Sequence, residues 1–315
     1  MTSKRLLVHT AFTLLSPILV AWFGVSVAGA IALVLLLLVW RWVISVSGLI
    51  APENTPALQL DSISASHFVE KVRWCMDRLQ LDYTEKQSAA TLGVWFLGRT
   101  VPRLRIRSGA VVSSIGNSPE ILRYLWGAYG TDNERAAFLQ PTAERLELEQ
   151  RIDRYGRNLQ VWIYYHLPQD PELLLHAWGV HSPLVPGWQR QLLRLLRPLL
   201  TLLIQKSFKT TMKNCQRAVE HIEALLHDMD NRLAENSASL LGGDTINYTD
   251  IAFAALSGVW LQPQGYGAGK ADAVRLEHER LPEGMRADVE RWAEDYPRAT
   301  AFINELYENE RQAQN

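Results

Sequence analysis

The longest uncharged stretch of the chain, residues 6–40, places the strongest constraint on what the chain can fold into. It contains no Asp, Glu, Lys or Arg, and His9 is the only titratable side chain in it. An apolar run of this length is typical of membrane segments and not of globular helices. A cleaved secretory signal has a much shorter apolar stretch, whereas this run continues past Ala28-Gly29-Ala30, which resembles a cleavage site.

The length of this run favours two membrane spans over one. As a single helix, residues 6–40 would be about 50 Å long at about 1.5 Å per residue, well beyond a hydrocarbon core of about 30 Å. We therefore expect a membrane-spanning hairpin within residues 1–48, with its break near residues 23–26. The flanking cations Lys4 and Arg41 then lie on one side, which the positive-inside tendency makes the cytoplasm. A single long tilted helix is the alternative, and it would leave the rest of the chain on the opposite side.

After a linker at residues 49–57, the chain has the composition of a globular protein. Of its 315 residues, 48% are apolar and 21% are charged, so it can bury a large core. The net charge of −1 argues against a nucleic-acid partner. The two cysteines, Cys75 and Cys215, form no metal-ligand or disulfide pattern, and the sequence predicts no metal site.

Residues 58–126 have the element order of a small mixed domain. Apolar residues recur at helical spacing from Val69 to Leu79, directly after a cluster of serines suited to capping a helix start. An alternating strand follows Val101-Pro102, and Asn117-Ser118-Pro119 begins a further helix with Pro just inside its start.

This order, with these residues, resembles the thioredoxin-like, glutathione-binding half of soluble glutathione transferases. The resemblance implies that Ser66 meets the glutathione sulfur and is the catalytic residue. It also implies a cis peptide bond before Pro102, and that Asn117 stands where the family usually has Glu or Asp. The glutathione-binding residues that the resemblance implies are Phe68, Arg99, Val101, Pro102, Asn117 and Ser118.

Physical chemistry supports the same role for Ser66. A helix N-terminus presents unpaired N–H groups and a partial positive charge, which favour a bound thiolate. A serine hydroxyl that donates a hydrogen bond to the thiolate lowers the pKa of the thiol further. The alternative interpretation is that Ser66 and Ser118 are plain N-caps.

Residues 127–315 read as an all-helical domain. Residues 145–165 form an amphipathic helix, and the resemblance implies that Tyr155 and Trp162 line the pocket for the second substrate. Core packing is the alternative for both. Asn247 and Asp250 resemble the family's capping motif of a buried helix, with Asn247 as the cap and Asp250 reaching back to the capping loop.

A basic, Leu-rich segment at residues 187–217 stands out within this domain. Between Glu172 and Glu220 the chain has no acidic residue. A narrow polar stripe recurs three or four residues apart while leucines cover the rest of the helix; it comprises Arg190, Arg194, Arg197, Thr201, Gln205, Lys209 and Lys213. So wide an apolar arc indicates either a deeply buried helix or one that lies on a lipid surface.

The sequence thus predicts an α+β protein: a membrane-spanning helical hairpin, a thioredoxin-like βαβ-ββα domain and an all-helical domain. By resemblance it is a membrane-anchored glutathione-transferase-like protein that conjugates the glutathione thiolate to an apolar electrophile. Glutathione serves as a substrate, the lipid bilayer is a partner, the main domain faces the cytoplasm, and the resemblance allows a homodimer. The alternative is a non-catalytic binding or scaffold module with the same fold, whereas a thiol-disulfide reductase would need a cysteine in place of Ser66.

Overall fold

The structure is a computed structural model of the chain. It describes residues 15, 26–50, 55–89, 92, 101–108, 111–130, 134–233 and 238–311, with the backbone alone for residues 44–50. The chain divides into two compact units. The first comprises residues 1–59 and 105–114, and the second comprises residues 60–104 and 115–315.

Helix α1 (Val27–Ile50) lies at the end of the uncharged run and continues past it. It begins directly after Ser26, whose hydroxyl accepts a hydrogen bond from the Gly29 N–H at 3.2 Å. In the described part of the chain, no helix combines the length and apolarity needed to cross a membrane, and no membrane-spanning hairpin is found there. The first predicted span lies outside the described residues except for Leu15.

Four strands form one sheet in the order β2-β1-β3-β4. The strands are β1 (Ala57–Ser62), β2 (Tyr83–Gln87), β3 (Arg103–Ser108) and β4 (Val111–Gly116), with helix α2 (His67–Arg78) between the first two and helix α3 (Ser118–Tyr129) after the last. This is the βαβ-ββα order that the sequence predicts. Residues 93–100, which connect the two halves of that order, lie outside the described residues.

The part of the chain after α3 is mostly helical, so the predicted α+β class is confirmed. Its helices are α4 (Ala143–His166), α5 (Pro171–Ala177), α6 (Gly187–Phe208), α7 (Met212–Arg232), α8 (Tyr248–Leu261), α9 (Glu283–Asp295) and α10 (Pro297–Leu306). Short 3-10 segments occur at Glu134–Leu139, Leu167–Gln169, Tyr266–Gly269, Asp272–Val274 and His278–Arg280, and a π-helical turn at Tyr307–Arg311.

Helix α8 is the centre of the second unit. All of its residues except the last are buried, and it packs against α2, α4 and α10. Its start has the predicted capping box: the Asn247 side chain accepts a hydrogen bond from the Thr249 N–H, and the Asp250 carboxylate accepts one from the Asn247 N–H at 2.7 Å. Because α2 packs on this helix, the serine that caps α2 is held on a rigid core.

Candidate active site

Ser66 is the N-cap of helix α2. Its backbone is extended, and its hydroxyl accepts a hydrogen bond from the Val69 N–H at 3.4 Å, which is long for a cap. The side chain is half-buried. It therefore sits at the partly positive end of a helix, with hydrogen-bonding capacity to spare.

A cavity of about 990 Å³ opens beside this helix start. Ser66 and His67 line it, together with Val101 and side chains from α4, α6 and α8. The wall away from Ser66 is mostly apolar; among its residues are Ile163, Leu167, Leu200, Leu203, Ile204, Phe208, Val274 and Met285. The volume is at the upper end of the range of about 300–1,000 Å³ that is typical of small-molecule sites.

Two polar atoms interrupt the apolar wall. The indole Nε1 of Trp178 and the side-chain Oε1 of Gln262 are both buried, and neither has a hydrogen-bond partner among the described residues. Burying such groups without a partner costs free energy. These two side chains therefore keep hydrogen-bonding capacity that the described residues do not use.

The segment before strand β3 connects the cavity to the start of helix α3. The Val101–Pro102 peptide bond is cis, as the sequence predicts, and Val101 lines the cavity beside Ser66. The Asn117 N–H donates a hydrogen bond to the Pro102 carbonyl at 3.2 Å. Pro102, which follows the cavity residue Val101, is thus hydrogen-bonded to the start of α3.

Asn117 and Ser118 form an unusual helix start. Asn117 is exposed, has a φ of +72°, and its side chain makes no capping hydrogen bond. Ser118 is only 1% exposed, and its hydroxyl has no hydrogen-bond partner among the described residues. A buried hydroxyl without a partner at a helix N-terminus is suited to an anionic group such as a carboxylate.

Two cavity residues were missed by the sequence analysis. His67 is buried, its Nε2 lies 3.1 Å from the Gly156 carbonyl, and burial lowers the pKa of its imidazole to about 4. It is therefore neutral near pH 7 and donates from Nε2. Tyr266 donates a hydrogen bond to the Ala65 carbonyl at 3.1 Å, which fixes the turn before Ser66. Burial raises the pKa of this phenol, so it remains a donor.

Charged residues of helix α2 are buried and paired. The Arg73 guanidinium contacts Glu70 at 2.7 Å and Glu85 at 2.7 Å, and Arg311 contacts Glu70 at 2.8 Å and Asp77 at 2.7 Å. Glu70 lies in the first turn of α2, where an unpaired carboxylate would oppose a thiolate at Ser66. The two arginines offset that negative charge, so the helix start stays favourable to an anion.

Lys71 is the other buried cation of α2. It is fully buried and bridges Glu149 at 2.9 Å and Asp153 at 3.0 Å on helix α4. Burial acts to lower the pKa of this amine, but the two carboxylates outweigh it and the net shift is upward. Lys71 therefore remains charged and ties α2 to the helical part of the unit.

The structure does not place Tyr155 and Trp162 in the cavity wall, which corrects the prediction that they line a second-substrate pocket. The Tyr155 hydroxyl is hydrogen-bonded to the Ser257 hydroxyl at 2.8 Å and accepts a hydrogen bond from the Trp260 indole. The Trp162 indole donates a hydrogen bond to the Asp288 carboxylate at 2.8 Å. Both are core residues. The arc of α4 that faces the cavity instead carries Gln160, Ile163 and Tyr164.

Of the two remaining predicted residues, Phe68 is half-buried and its ring lies 4.6 Å from that of His67, while Arg99 lies outside the described residues. A Cβ on Gly156 would meet the Leu256 side chain of α8 at 2.5 Å and the tip of the Phe68 ring at 2.8 Å, so glycine there lets α4 approach both helices closely. Among the described residues, no group of three His, Cys, Asp or Glu is arranged to hold a metal ion.

No family model and no curated protein sequence matches the chain. Solved structures do resemble it. A glutathione S-transferase from Methylobacterium radiotolerans, in complex with glutathione sulfonate, has 16% identity and a TM-score of 0.48 over 80% of this chain and 91% of its own. The glutathione transferase YghU from Streptococcus pneumoniae, complexed with glutathione, has 16% identity and a TM-score of 0.47 over 84% of each chain.

A theta-class glutathione S-transferase from Xanthomonas axonopodis, with glutathione bound, has 19% identity and a TM-score of 0.40 over 82% of this chain and 98% of its own. Because these identities are below 25% and the TM-scores are below 0.5, the roles of residues in this chain rest on its own geometry.

Proposed function

We propose that this protein binds glutathione and activates its thiol for transfer to an apolar electrophile. The observation that carries the proposal is the Ser66 hydroxyl, which caps a helix start in the wall of a mostly apolar cavity of about 990 Å³. Such a position offers a hydrogen bond and a partial positive charge to one sulfur atom, with room beside it for an apolar reactant.

The proposed reaction has two steps. The glutathione thiol loses its proton to solvent, and the Ser66 hydroxyl and the N-terminus of α2 stabilise the resulting thiolate. The thiolate then attacks an electrophilic carbon and forms a carbon–sulfur bond. The electron pair displaced from that carbon departs with a leaving group or takes up a proton from solvent.

The two ends of glutathione need separate binding groups. The buried Ser118 hydroxyl at the start of α3 supports this start as the site of the γ-glutamyl carboxylate, because that hydroxyl has no other described partner. Val101, which lines the cavity with Ser66, would take the cysteinyl part. The apolar wall would take the second substrate.

A specific observation favours the second candidate, a binding module without turnover. Asn117 is exposed with its amide unused in capping, and an amide carries no negative charge to pair with the glutathione ammonium group. A weaker hold on that end would leave glutathione less well oriented for reaction.

Isothermal titration calorimetry of the full-length protein with glutathione tests the proposal. Saturable binding with one site per chain, lost when the ligand is a peptide without the γ-glutamyl carboxylate, is the expected result. Absence of binding would overturn both candidates. Binding without conjugation of any of a panel of apolar electrophiles would favour the module.

We also propose that residues 6–40 anchor the chain in a membrane and that the second unit faces the cytoplasm. The support is the charge-free sequence of that run and its flanking cations Lys4, Arg5 and Arg41. Cysteine accessibility in intact cells, with one probe near Met1 and one at Asn315, tests it. Both probes should be protected; exposure of the Asn315 probe to the outside would contradict the proposal.

A further inference from the structure

Helix α6 leaves an apolar face in contact with solvent. Leu195, Leu199 and Leu202 are 76%, 52% and 48% exposed, and their spacing of four and three residues puts them on one side of the helix. Three large aliphatic side chains that are this exposed on one helix face form an apolar patch of the kind that marks an interaction surface.

The exposed charges on and just after helix α6 are all positive. Arg194, Lys206 and Lys209 on and just after α6 are exposed, and Arg197 is half-buried. From residue 173 to residue 219 the sequence has seven Lys and Arg residues and no Asp or Glu. An exposed apolar stripe with uncompensated cations is the pattern of a helix that lies in a membrane interface.

The opposite face of the same helix belongs to the cavity. Leu200 and Ile204 are buried, and both line the cavity together with Leu203 and Phe208. The helix runs without interruption through Pro198, so both faces are carried by one element. Helix α6 is therefore the wall between the cavity and the exposed apolar face.

We propose that helix α6 docks on the surface of an anionic bilayer. Leu195, Leu199 and Leu202 would enter the acyl boundary, and the cations would contact lipid phosphates. A second copy of this chain fits the face less well, because it would bring the exposed cations Arg194, Lys206 and Lys209 of the two copies close to each other. An anionic surface offers a counter-charge to every cation at once.

Docking in this way brings the cavity next to the bilayer. Apolar molecules dissolved in the membrane would then be the class of ligand that enters past α6. This second part rests on the proposed function, because it supplies the reactant for the thiolate. The docking itself requires no glutathione.

Depth-dependent fluorescence quenching of the full-length protein in vesicles tests the docking. A bimane label would be attached at Leu199→Cys or, as a matched control, at Glu305→Cys, an exposed position on α10. The two native cysteines are buried, which directs the label to the introduced one. Brominated phospholipids should quench the label at position 199 in vesicles rich in phosphatidylglycerol. They should quench it less in neutral vesicles or high salt, and should not quench the label at position 305.

A charge-removal pair measures the electrostatic part. Arg194→Gln with Lys206→Gln, both exposed on α6, should lower the ratio of docked to undocked helix by about thirtyfold, since each cation near an anionic surface contributes a roughly constant free energy. Lys86→Gln with Arg280→Gln removes two cations elsewhere on the same unit and should leave that ratio unchanged.

Three results would overturn the docking. They are an unquenched label at position 199 in anionic vesicles, equal quenching at both positions, or shielding of position 199 that rises with protein concentration in neutral vesicles, which would indicate a second copy. Because no glutathione is present, a failure here leaves the proposed thiol chemistry untouched, and a failure of glutathione binding leaves the docking untouched.

Discussion

The start of helix α8 and the starts of helices α2 and α3 use similar cap residues, but they differ in what is left unpaired. At α8, the Asp250 carboxylate accepts hydrogen bonds from the Asn247 N–H, the Leu240 N–H and the Ser239 hydroxyl, all between 2.7 and 2.8 Å. Every side of that carboxylate is engaged within the protein. Such a start is closed to ligands and stabilises the fold.

At α2 and α3 the corresponding hydroxyls have capacity left. The Ser66 hydroxyl makes one long bond of 3.4 Å and is half-buried beside the cavity, whereas the Ser118 hydroxyl is buried and has no partner among the described residues. The comparison teaches that the residue type at a helix start does not decide whether that start can bind a ligand. What decides it is the number of hydrogen bonds that the side chain already makes within the protein.

The largest expected effect is at the closed start. Asp250→Ala should lower the free energy of unfolding by about 3–5 kcal/mol, because three buried donors lose the carboxylate that accepts their hydrogen bonds. Asp244→Ala, at an exposed position in the same loop, is the matched control and should change it by less than about 0.5 kcal/mol. Denaturant unfolding followed by tryptophan fluorescence measures both. Similar values for the two variants would remove the distinction between the closed start of α8 and the starts of α2 and α3, which we call open because their hydroxyls have unused hydrogen-bonding capacity.

The next effect is the pH dependence that His67 gives to the open start of α2. The folded-state pKa of His67 is about 4, below the ordinary value of about 6.5, so the unfolded chain binds a proton more readily. The stability present above about pH 6.5 should therefore be lost as the pH falls towards 4, by up to about 3 kcal/mol.

The control for this prediction is His67→Gln, which keeps a donor for the Gly156 carbonyl but does not titrate. Its free energy of unfolding should fall less between pH 7 and pH 4 than that of the wild type. Parallel pH profiles for the two proteins would show that the imidazole is not held neutral by burial.

A smaller effect is expected at Ser118. Ser118→Ala should weaken glutathione binding by about tenfold to a hundredfold, because it removes a hydrogen bond to a charged carboxylate. The free energy of unfolding should hardly change, since this hydroxyl has no described partner in the protein. Thr300→Val removes another unpaired hydroxyl, on helix α10, and should leave glutathione affinity unchanged. Calorimetry that finds equal affinities for Ser118→Ala and wild type would identify Ser118 as structural.

Features that depend on neighbouring residues were predictable from the sequence. The cap at Ser66 and the pairing of Asn247 with Asp250 are set by residues within a few positions of each other. The cis bond before Pro102 was implied by the family resemblance. The order of strands and helices between residues 57 and 129 followed from the same local signals together with the family resemblance.

Features that depend on distant residues were not predictable. Tyr266 reaches the turn before Ser66 from two hundred residues along the chain, and Lys71 is buried only because α4 brings Glu149 and Asp153 to it. Tyr155 lies on the buried side of α4, but on the part of that side that faces α8. Apolar spacing then does not reveal which arc faces the cavity and which faces α8.

The central claim, that the open start of α2 activates a thiol, is tested most directly by the pKa of bound glutathione. The absorbance of the thiolate would be followed against pH in complexes with wild type, Ser66→Ala and Ser66→Thr, the last of which keeps a hydroxyl. We expect the wild type to lower the thiol pKa, Ser66→Ala to raise it by about one to two units with conjugation slower by about tenfold to a hundredfold, and Ser66→Thr to restore part of both. An unchanged thiol pKa and rate in Ser66→Ala would show that Ser66 is only a cap and would contradict the claim.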